Sequence, residues 1–198
     1  MYILDNNWTL INTMTILIIT ALENELDPLL VPKRFSIAHT GAGKINAALG
    51  AIKAIQTFNP KLIINFGTVG RINFQNPAIT GLIEIKEVVQ RDMLAMPLAP
   101  RGRVPLSSQP FIFYSHHGVA TCGTGDSFVT SPDPWLEEQQ IDVVDMELFA
   151  IASAAYSQEI PWRAFKFITD DANALAGKEW TDKINHGEDL FLQALSQL

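Results

Sequence analysis

The chain has 198 residues, of which 47% are apolar and 18% charged, and its formal net charge is −7. These values are typical of a globular protein with a sizeable core, and the absence of any basic run among the 14 Lys and Arg residues argues against a nucleic-acid-binding or anionic-membrane-binding surface. The single cysteine, Cys122, excludes a disulfide framework and a cysteine-based zinc site, and the four histidines show no metal-ligand spacing.

The N-terminal segment is apolar in places, but Asp5 and three asparagines interrupt it and no basic segment precedes it. It therefore matches neither a signal peptide nor a membrane span. Met14 stands immediately before the first convincing strand. We predict that residues 1–13 are an extension, that residues 14–198 form a single domain, and that the protein is cytoplasmic.

Short apolar or alternating runs predict strands along the whole chain. These runs are 15–20, 34–40, 61–70, 81–89, 111–115, 118–123, the start of 141–157, and 163–170. Helical segments are predicted at 21–30 (a short piece closed by Pro28), 44–58, 133–140, the rest of 141–157, and 178–197. In 44–58 the helical spacing is carried by apolar residues, namely Ile45, Ala48, Leu49, Ile52 and Ile55.

Strands that alternate with helices predict an α/β fold, with a central twisted mixed sheet between two helical layers. The stretch 81–122 has no helix between its strands, so we expect antiparallel pairs there, and 93–110 is predicted to be a loop. Ligands of such sheets lie beyond the carboxyl ends of the strands. Polar residues follow several predicted strands at that edge: Glu23, Glu25, Thr68, Asp145, Glu147, Asp170 and Asp171.

Two carboxylates stand in the otherwise apolar run DVVDMELFAIA, at Asp145 and Glu147. A buried charge without a partner is costly. Lys44 and Lys166 are candidate structural partners, and the vicinal hydroxyls of a sugar are the alternative, because one carboxylate accepts two hydrogen bonds from a diol. Asp170 ends an apolar strand, where a carboxyl group is either a helix cap or an acid that faces a cleft.

Other motifs are ambiguous by themselves. TGAGK at 40–44 fits a phosphate cradle or a plain turn before a helix, and it has neither Walker nor dinucleotide-binding spacing. Phe128 is either a core residue or a flat wall for a planar ligand. Glu25 by itself fits a solvated face as well as a catalytic role, and Cys122 is most simply a small core residue.

Six short motifs occur together in one order: ALENEL, TGAGKINAA, NFGTVG, TGDSFV, VVDMELFAIA and FITDDAN. In this order the chain resembles the nucleoside phosphorylase/nucleosidase superfamily, and most of all the 5′-methylthioadenosine/S-adenosylhomocysteine nucleosidases. The resemblance covers residues 15–198 except 93–117, where the chain is shorter than typical members. It implies the three-layer αβα fold of that superfamily and no metal or organic cofactor.

The resemblance also implies catalytic roles. Glu25 matches the glutamate that deprotonates the attacking water, and Thr68 matches a small hydroxyl residue near the water and the ribose. Asp170 matches the acid at purine N7, and Thr169 holds it. Burial would keep Asp170 protonated near neutral pH, as a general acid requires.

For substrate binding, the resemblance implies that Phe128 stacks on the purine and that the main chain of Val129 reads the edge of the base. Met146 packs under the sugar and Glu147 grips the 2′- and 3′-hydroxyls. Three further residues are predicted to contribute to substrate binding: Asp145 (in place of a usual Glu), Lys166 (in place of a usual Arg) and Trp180 (at the 5′ substituent).

Water is favoured over phosphate as the nucleophile. Phosphate needs arginine donors, and related phosphorylases commonly have one where this chain has Asn65, while Glu23 and Glu25 would repel an anion. The predicted partner is a small nucleoside, and a homodimer is expected by resemblance. A futalosine-type hydrolase and a catalytically silent nucleoside-binding protein are the alternatives.

Overall fold

The computed structural model describes residues 15–198, and the predicted extension at residues 1–13 lies outside the described residues. The strands are β1 (Ile16–Thr20), β2 (Phe35–His39), β3 (Leu62–Arg71), β4 (Leu82–Gln90), β5 (Ile112–Tyr114), β6 (Ala120–Thr124), β7 (Val143–Asp145) and β8 (Trp162–Asp170). The helices are α1 (Lys44–Phe58), α2 (Pro134–Glu138), α3 (Leu148–Ser157), α4 (Ala176–Lys183) and α5 (Glu188–Leu195). Among these helices, none is long and apolar enough to cross a membrane.

The strands form one mixed sheet that curls until five of them close a ring. One edge of β3 pairs in parallel with β1 and then antiparallel with β7, while its other edge pairs in parallel with β8. β4 joins β8 antiparallel and β6 in parallel, and β6 pairs with β7. β2 lies outside β1, and β5 lies antiparallel on β4, as expected for a stretch without a crossover helix.

Helices cover the sheet on both faces, which confirms the predicted αβα arrangement. α1 and α3 pack into the larger core cluster, where Leu17, Ile63 and Ile151 are fully or almost fully buried. α5 packs into a second cluster, in which the rings of Phe66 and Phe191 stack at 4.3 Å. The sheet therefore has an apolar layer on each side, and polar side chains are left to its ends.

Helix α1 was predicted with the right bounds, but only part of its predicted apolar set faces the core. Its buried residues are Ala47, Ala51, Ala54 and Ile55. Ile45 and Leu49, which carried the predicted apolar spacing, are 74% and 69% exposed. Three alanines and Ile55 face the core, while Ile45 and Leu49 lie on the outside.

Two other helix predictions were wrong in part. The segment 21–30 forms consecutive turns and no helix, and the predicted C-terminal helix is divided between α4 and α5. The start of α2 is as predicted, with Pro134 in the first turn and the Asp133 side chain accepting the Trp135 N–H at 3.1 Å.

Candidate active site

A cavity opens beside the carboxyl ends of β1, β7 and β8. Ten of the predicted site residues line it: Glu25, Thr68, Phe128, Val129, Asp145, Met146, Glu147, Thr169, Asp170 and Trp180. These residues come from distant parts of the chain, and the sheet brings them together at its carboxyl edge, where α/β proteins bind ligands.

Glu25 is held by the turn that follows β1. Its Oε2 accepts the backbone N–H groups of Ala21 and Leu22, both at 2.9 Å, and the side chain is 4% exposed. Its other oxygen, Oε1, lies 3.5 Å from the Thr68 hydroxyl. Burial raises the pKa of Glu25, although the two N–H groups and the charge of Lys166 oppose the shift. A carboxylate with a raised pKa is a stronger base.

Asp170 is the last residue of β8, and it projects into the same cavity. Its Oδ2 accepts the Thr169 hydroxyl at 2.9 Å, and its Oδ1 accepts the Ala172 N–H at 2.9 Å. Burial raises the pKa of Asp170 in spite of these bonds. Gly70 makes room for the carboxyl group, because a Cβ atom at that position would lie 2.7 Å from Asp170 Oδ1.

Lys166 does not line the cavity, in contrast to its predicted role in substrate binding. Its ammonium is buried and pairs with the Asp145 carboxylate at 2.8 Å. The side chains of Lys166 and Asp145 are 2% and 0% exposed. Asp145 also accepts the Thr124 hydroxyl at 2.5 Å and the Leu148 N–H at 2.9 Å. Although burial alone would raise the pKa of Asp145, Lys166 and these bonds lower it. Of the two candidate lysines, Lys166 is thus the structural partner.

Glu147 precedes α3 and reaches the amino end of α1. Its Oε1 accepts the Gly43 N–H at 2.9 Å. Burial, followed by the negative charge of Asp145, raises the pKa of Glu147 to about 7. The TGAGK turn therefore gives its amides to carboxylates, since the Lys44 N–H also donates to Asp126 at 2.7 Å. These contacts favour the plain-turn interpretation over a phosphate cradle.

The aromatic wall consists of Phe128 and Trp180. Phe128 is 46% exposed, so it is not a core residue, and its ring meets the Trp180 ring edge-on at 6.1 Å. The Trp180 indole N–H donates to the Thr68 hydroxyl at 2.9 Å. An exposed ring beside a cavity offers a flat apolar surface to a planar ligand.

Sequence reasoning missed two lining residues with polar side chains, Arg91 and Ser127. Arg91 follows β4 directly and is only 5% exposed. The signal was available, because a charged residue at the end of an apolar strand is the same pattern that pointed to Asp170. Cys122 is a buried core residue, as expected, and His116 and His117 lie on an exposed bend.

Comparison with known proteins finds similarity to one superfamily. A family model described as the phosphorylase superfamily matches residues 114–197. Curated 5′-methylthioadenosine/S-adenosylhomocysteine nucleosidases also align. The relative from Staphylococcus haemolyticus is 28% identical in an alignment 164 positions long that covers 73% of this chain and 72% of the relative. The relative from Listeria innocua is 29% identical in an alignment 183 positions long that covers 77% of this chain and 76% of the relative. The chain is therefore similar to the phosphorylase superfamily over residues 114–197 and to these nucleosidases over about three quarters of its length.

Solved structures share the fold of this chain over more than nine tenths of its length. The 5′-methylthioadenosine/S-adenosylhomocysteine nucleosidase of Helicobacter pylori, in complex with butyl-thio-DADMe-Immucillin-A, superposes with a TM-score of 0.80 at 19% identity, covering 93% of this chain and 99% of that chain. A futalosine hydrolase mutant from the same organism gives a TM-score of 0.79 at 18% identity, covering 92% and 97%. Both therefore have the same fold as this chain.

Proposed function

We propose that the protein is a purine nucleosidase that hydrolyses the N-glycosidic bond of a 5′-modified adenosine such as methylthioadenosine or adenosylhomocysteine. The products are adenine and a 5-substituted ribose. The observation that carries this proposal is that Glu25, Glu147 and Asp170 line one cavity beside an aromatic wall. A protein that only binds nucleosides has use for Glu147 and Phe128 but none for a buried base and a buried acid.

We assign protonation of the leaving purine to Asp170. Cleavage of the glycosidic bond places negative charge on the purine, and protonation at N7 neutralises it. The raised pKa of Asp170 keeps a proton on its carboxyl group at higher pH than usual for an aspartate. Thr169 and Ala172 bond to the two oxygens and fix the direction of the group.

We assign binding of the sugar to Glu147 and Met146. Gly43 occupies Oε1 of Glu147, and the remaining acceptor sites can take the 2′- and 3′-hydroxyls. Ionised Glu147 would also stabilise the positive charge that develops on the ribose. In addition to burial, the charge of Asp145 raises the pKa of Glu147, and the charge of Lys166 lowers it. We propose that this buried pair sets the charge of Glu147 and does not contact the substrate directly.

We assign activation of the attacking water to Glu25. The water would lie on the face of the sugar opposite the purine, as in an inverting glycosidase. Glu25 accepts the proton, and Thr68, 3.5 Å away, is the second polar group at this position. Each acid–base contribution is worth about 10²–10⁴-fold in rate.

The basic groups around the cavity favour hydrolysis over phosphorolysis. Asn65, where related phosphorylases commonly have Arg, is 2% exposed and donates to the Ile19 carbonyl at 2.9 Å. Among the described residues that line the cavity, Arg91 is the only one with a positively charged side chain. Its guanidinium donates hydrogen bonds to Gly125 and Ser127. A phosphate ion beside Glu25 would therefore find a carboxylate and no arginine to bind it.

We also propose that two copies of the chain associate through α1. Ile45 and Leu49 lie one turn apart on its outer face and are 74% and 69% exposed. Apolar side chains on one face of a helix indicate a contact surface. The cytoplasmic location stays a prediction.

A nucleoside panel tests the proposed activity. The purified protein is incubated with methylthioadenosine, adenosylhomocysteine, 5′-deoxyadenosine and futalosine, with and without phosphate, and both products are identified. We expect adenine and a free 5-substituted ribose at the same rate in both buffers. A sugar 1-phosphate formed only with phosphate would identify a phosphorylase. Hypoxanthine from futalosine alone would favour the futalosine-type reaction, and binding without turnover would favour the silent binder.

A further inference from the structure

The loop that carries Phe128 of the aromatic wall, residues 125–129, is held by the two residues that follow β4. We name this segment the base loop. Arg91 Nη2 donates to the carbonyl oxygens of Gly125, at 3.1 Å, and Ser127, and its Nη1 donates to the Ser127 hydroxyl at 3.3 Å. The arginine is only 5% exposed, so these bonds form away from solvent.

Asp92 holds the same loop with its carboxylate, which accepts a hydrogen bond where the Arg91 guanidinium donates. Its Oδ2 accepts the Asp126 N–H at 2.9 Å, and its Oδ1 pairs with the Lys44 ammonium. Lys44 approaches the Asp126 carboxylate at 3.5 Å, and the Lys44 N–H donates to Asp126 at 2.7 Å. The guanidinium thus binds the carbonyls on either side of Asp126, and the carboxylate binds the N–H between them. Charge-assisted hydrogen bonds of this kind are the strong ones, and we name Arg91 and Asp92 together the loop clamp.

The backbone of the base loop lies directly on both side chains of the loop clamp. A Cβ atom at Gly125 would lie 2.9 Å from Arg91 Cζ and 3.0 Å from Asp92 Cγ. The loop needs this support, because the Phe128 ring is 46% exposed and meets the Trp180 ring only edge-on. A wall that receives a flat base must already be in place before binding, since ordering it on binding would cost affinity.

We propose that Arg91 and Asp92 are positioning residues for the purine, which they serve by fixing the base loop so that Phe128 and the Val129 main chain meet the base. This inference rests on the proposed function and deepens it. Glu25, Glu147 and Asp170 are oriented by other groups, on the turn after β1, at the amino end of α1 and after β8. Loss of the loop clamp therefore weakens binding of the base and leaves the chemical step unchanged.

The test is Arg91→Met, which removes the donors and keeps much of the side-chain volume. With methylthioadenosine we expect KM to rise at least about tenfold, kcat to stay within about threefold, and the pH profile of kcat to be unchanged. The dissociation constant of free adenine should rise in parallel with KM. Asp92→Ala should act in the same direction, and the double variant should show less than the sum of the two effects, because both act on one loop.

Arg163→Met is the matched control, since Arg163 pairs with Glu84 at 2.6 Å at the opposite end of β8. It should lower the melting temperature and leave KM and adenine affinity unchanged. If Arg91→Met does not fold, Arg91→Lys keeps the charge with fewer donors and should show a smaller rise in the same two quantities. Unchanged KM and adenine affinity in a folded Arg91 variant would overturn the proposal, as would a kcat that falls as much as kcat/KM. Adenine affinity is measured without turnover, so a wild-type protein that hydrolyses no nucleoside would refute the proposed function while the loop clamp is still tested.

Discussion

Asp170→Asn should reduce hydrolysis of methylthioadenosine by about 10³-fold at pH 7, within the usual range for loss of a general acid. The amide has nearly the same shape. Its oxygen can still accept the Ala172 N–H and its NH2 group can donate to the Thr169 hydroxyl, but an amide does not transfer a proton to N7. Affinity for a non-hydrolysable nucleoside should change by less than about tenfold, because the base loop, Glu147 and Met146 are untouched. Steady-state kinetics and calorimetric titration measure the two quantities.

Asp171→Asn is the control for this variant. Asp171 is adjacent in sequence, but it pairs with Arg71 at 2.8 Å and is not among the residues that line the cavity. It should retain close to full activity. Unaltered turnover of Asp170→Asn would refute the assignment of the acid, and equal losses in the two variants would point to local unfolding after β8.

Glu147→Gln should reduce activity and increase stability, two effects of opposite sign. The amide removes the negative charge that grips the hydroxyls and supports the oxocarbenium ion, so we expect kcat/KM to fall by about 10²–10³-fold. It also removes a carboxylate that the fold buries next to Asp145. Since the pKa of Glu147 is raised from 4.5 to about 7, its ionisation costs about 3 kcal/mol more in the folded protein than in the unfolded chain.

The pH dependence of this stability difference follows from the raised pKa. Glu147 is favourable to folding in its protonated form, and that contribution is complete below pH 4.5 and is lost as the pH rises through about 7. At about pH 8 the free energy of unfolding of Glu147→Gln should therefore exceed that of the wild type by most of the ionisation cost, and the difference should be small at pH 4.5. Denaturant titrations at the two pH values measure it. Glu23→Gln, at an exposed position in the same turn as Glu25, should show neither effect. A pH-independent difference for Glu147→Gln would contradict the burial of its charge.

Much of the fold was predictable because the strands and α1 follow local patterns. Buried strands read as short apolar runs, and the alanine-rich stretch at 44–58 is helical whichever face it buries. The three acids were also detectable, because a carboxylate at the end of an apolar strand needs a partner, and α/β sheets bring such ends together.

The rest depended on contacts between segments distant in sequence. The sequence around Lys166 does not show whether its side chain contacts a ligand or pairs with Asp145 inside the protein. The outward position of Ile45 and Leu49 depends on which side of α1 faces the core, and no local pattern fixes that side. The loop clamp of Arg91 and Asp92 links residues more than thirty positions apart through backbone groups, which carry no sequence signal.

A crystal structure of the Asp170→Asn variant with methylthioadenosine tests most directly whether three acidic positions surround one sugar–purine bond. We expect the amide that replaces Asp170 to lie within hydrogen-bond distance of N7, Glu147 to bind the 2′- and 3′-hydroxyls, and a water to lie between Glu25 and the anomeric carbon. A nucleoside bound with its ribose away from Glu147, or with the anomeric carbon turned from Glu25, would contradict this arrangement.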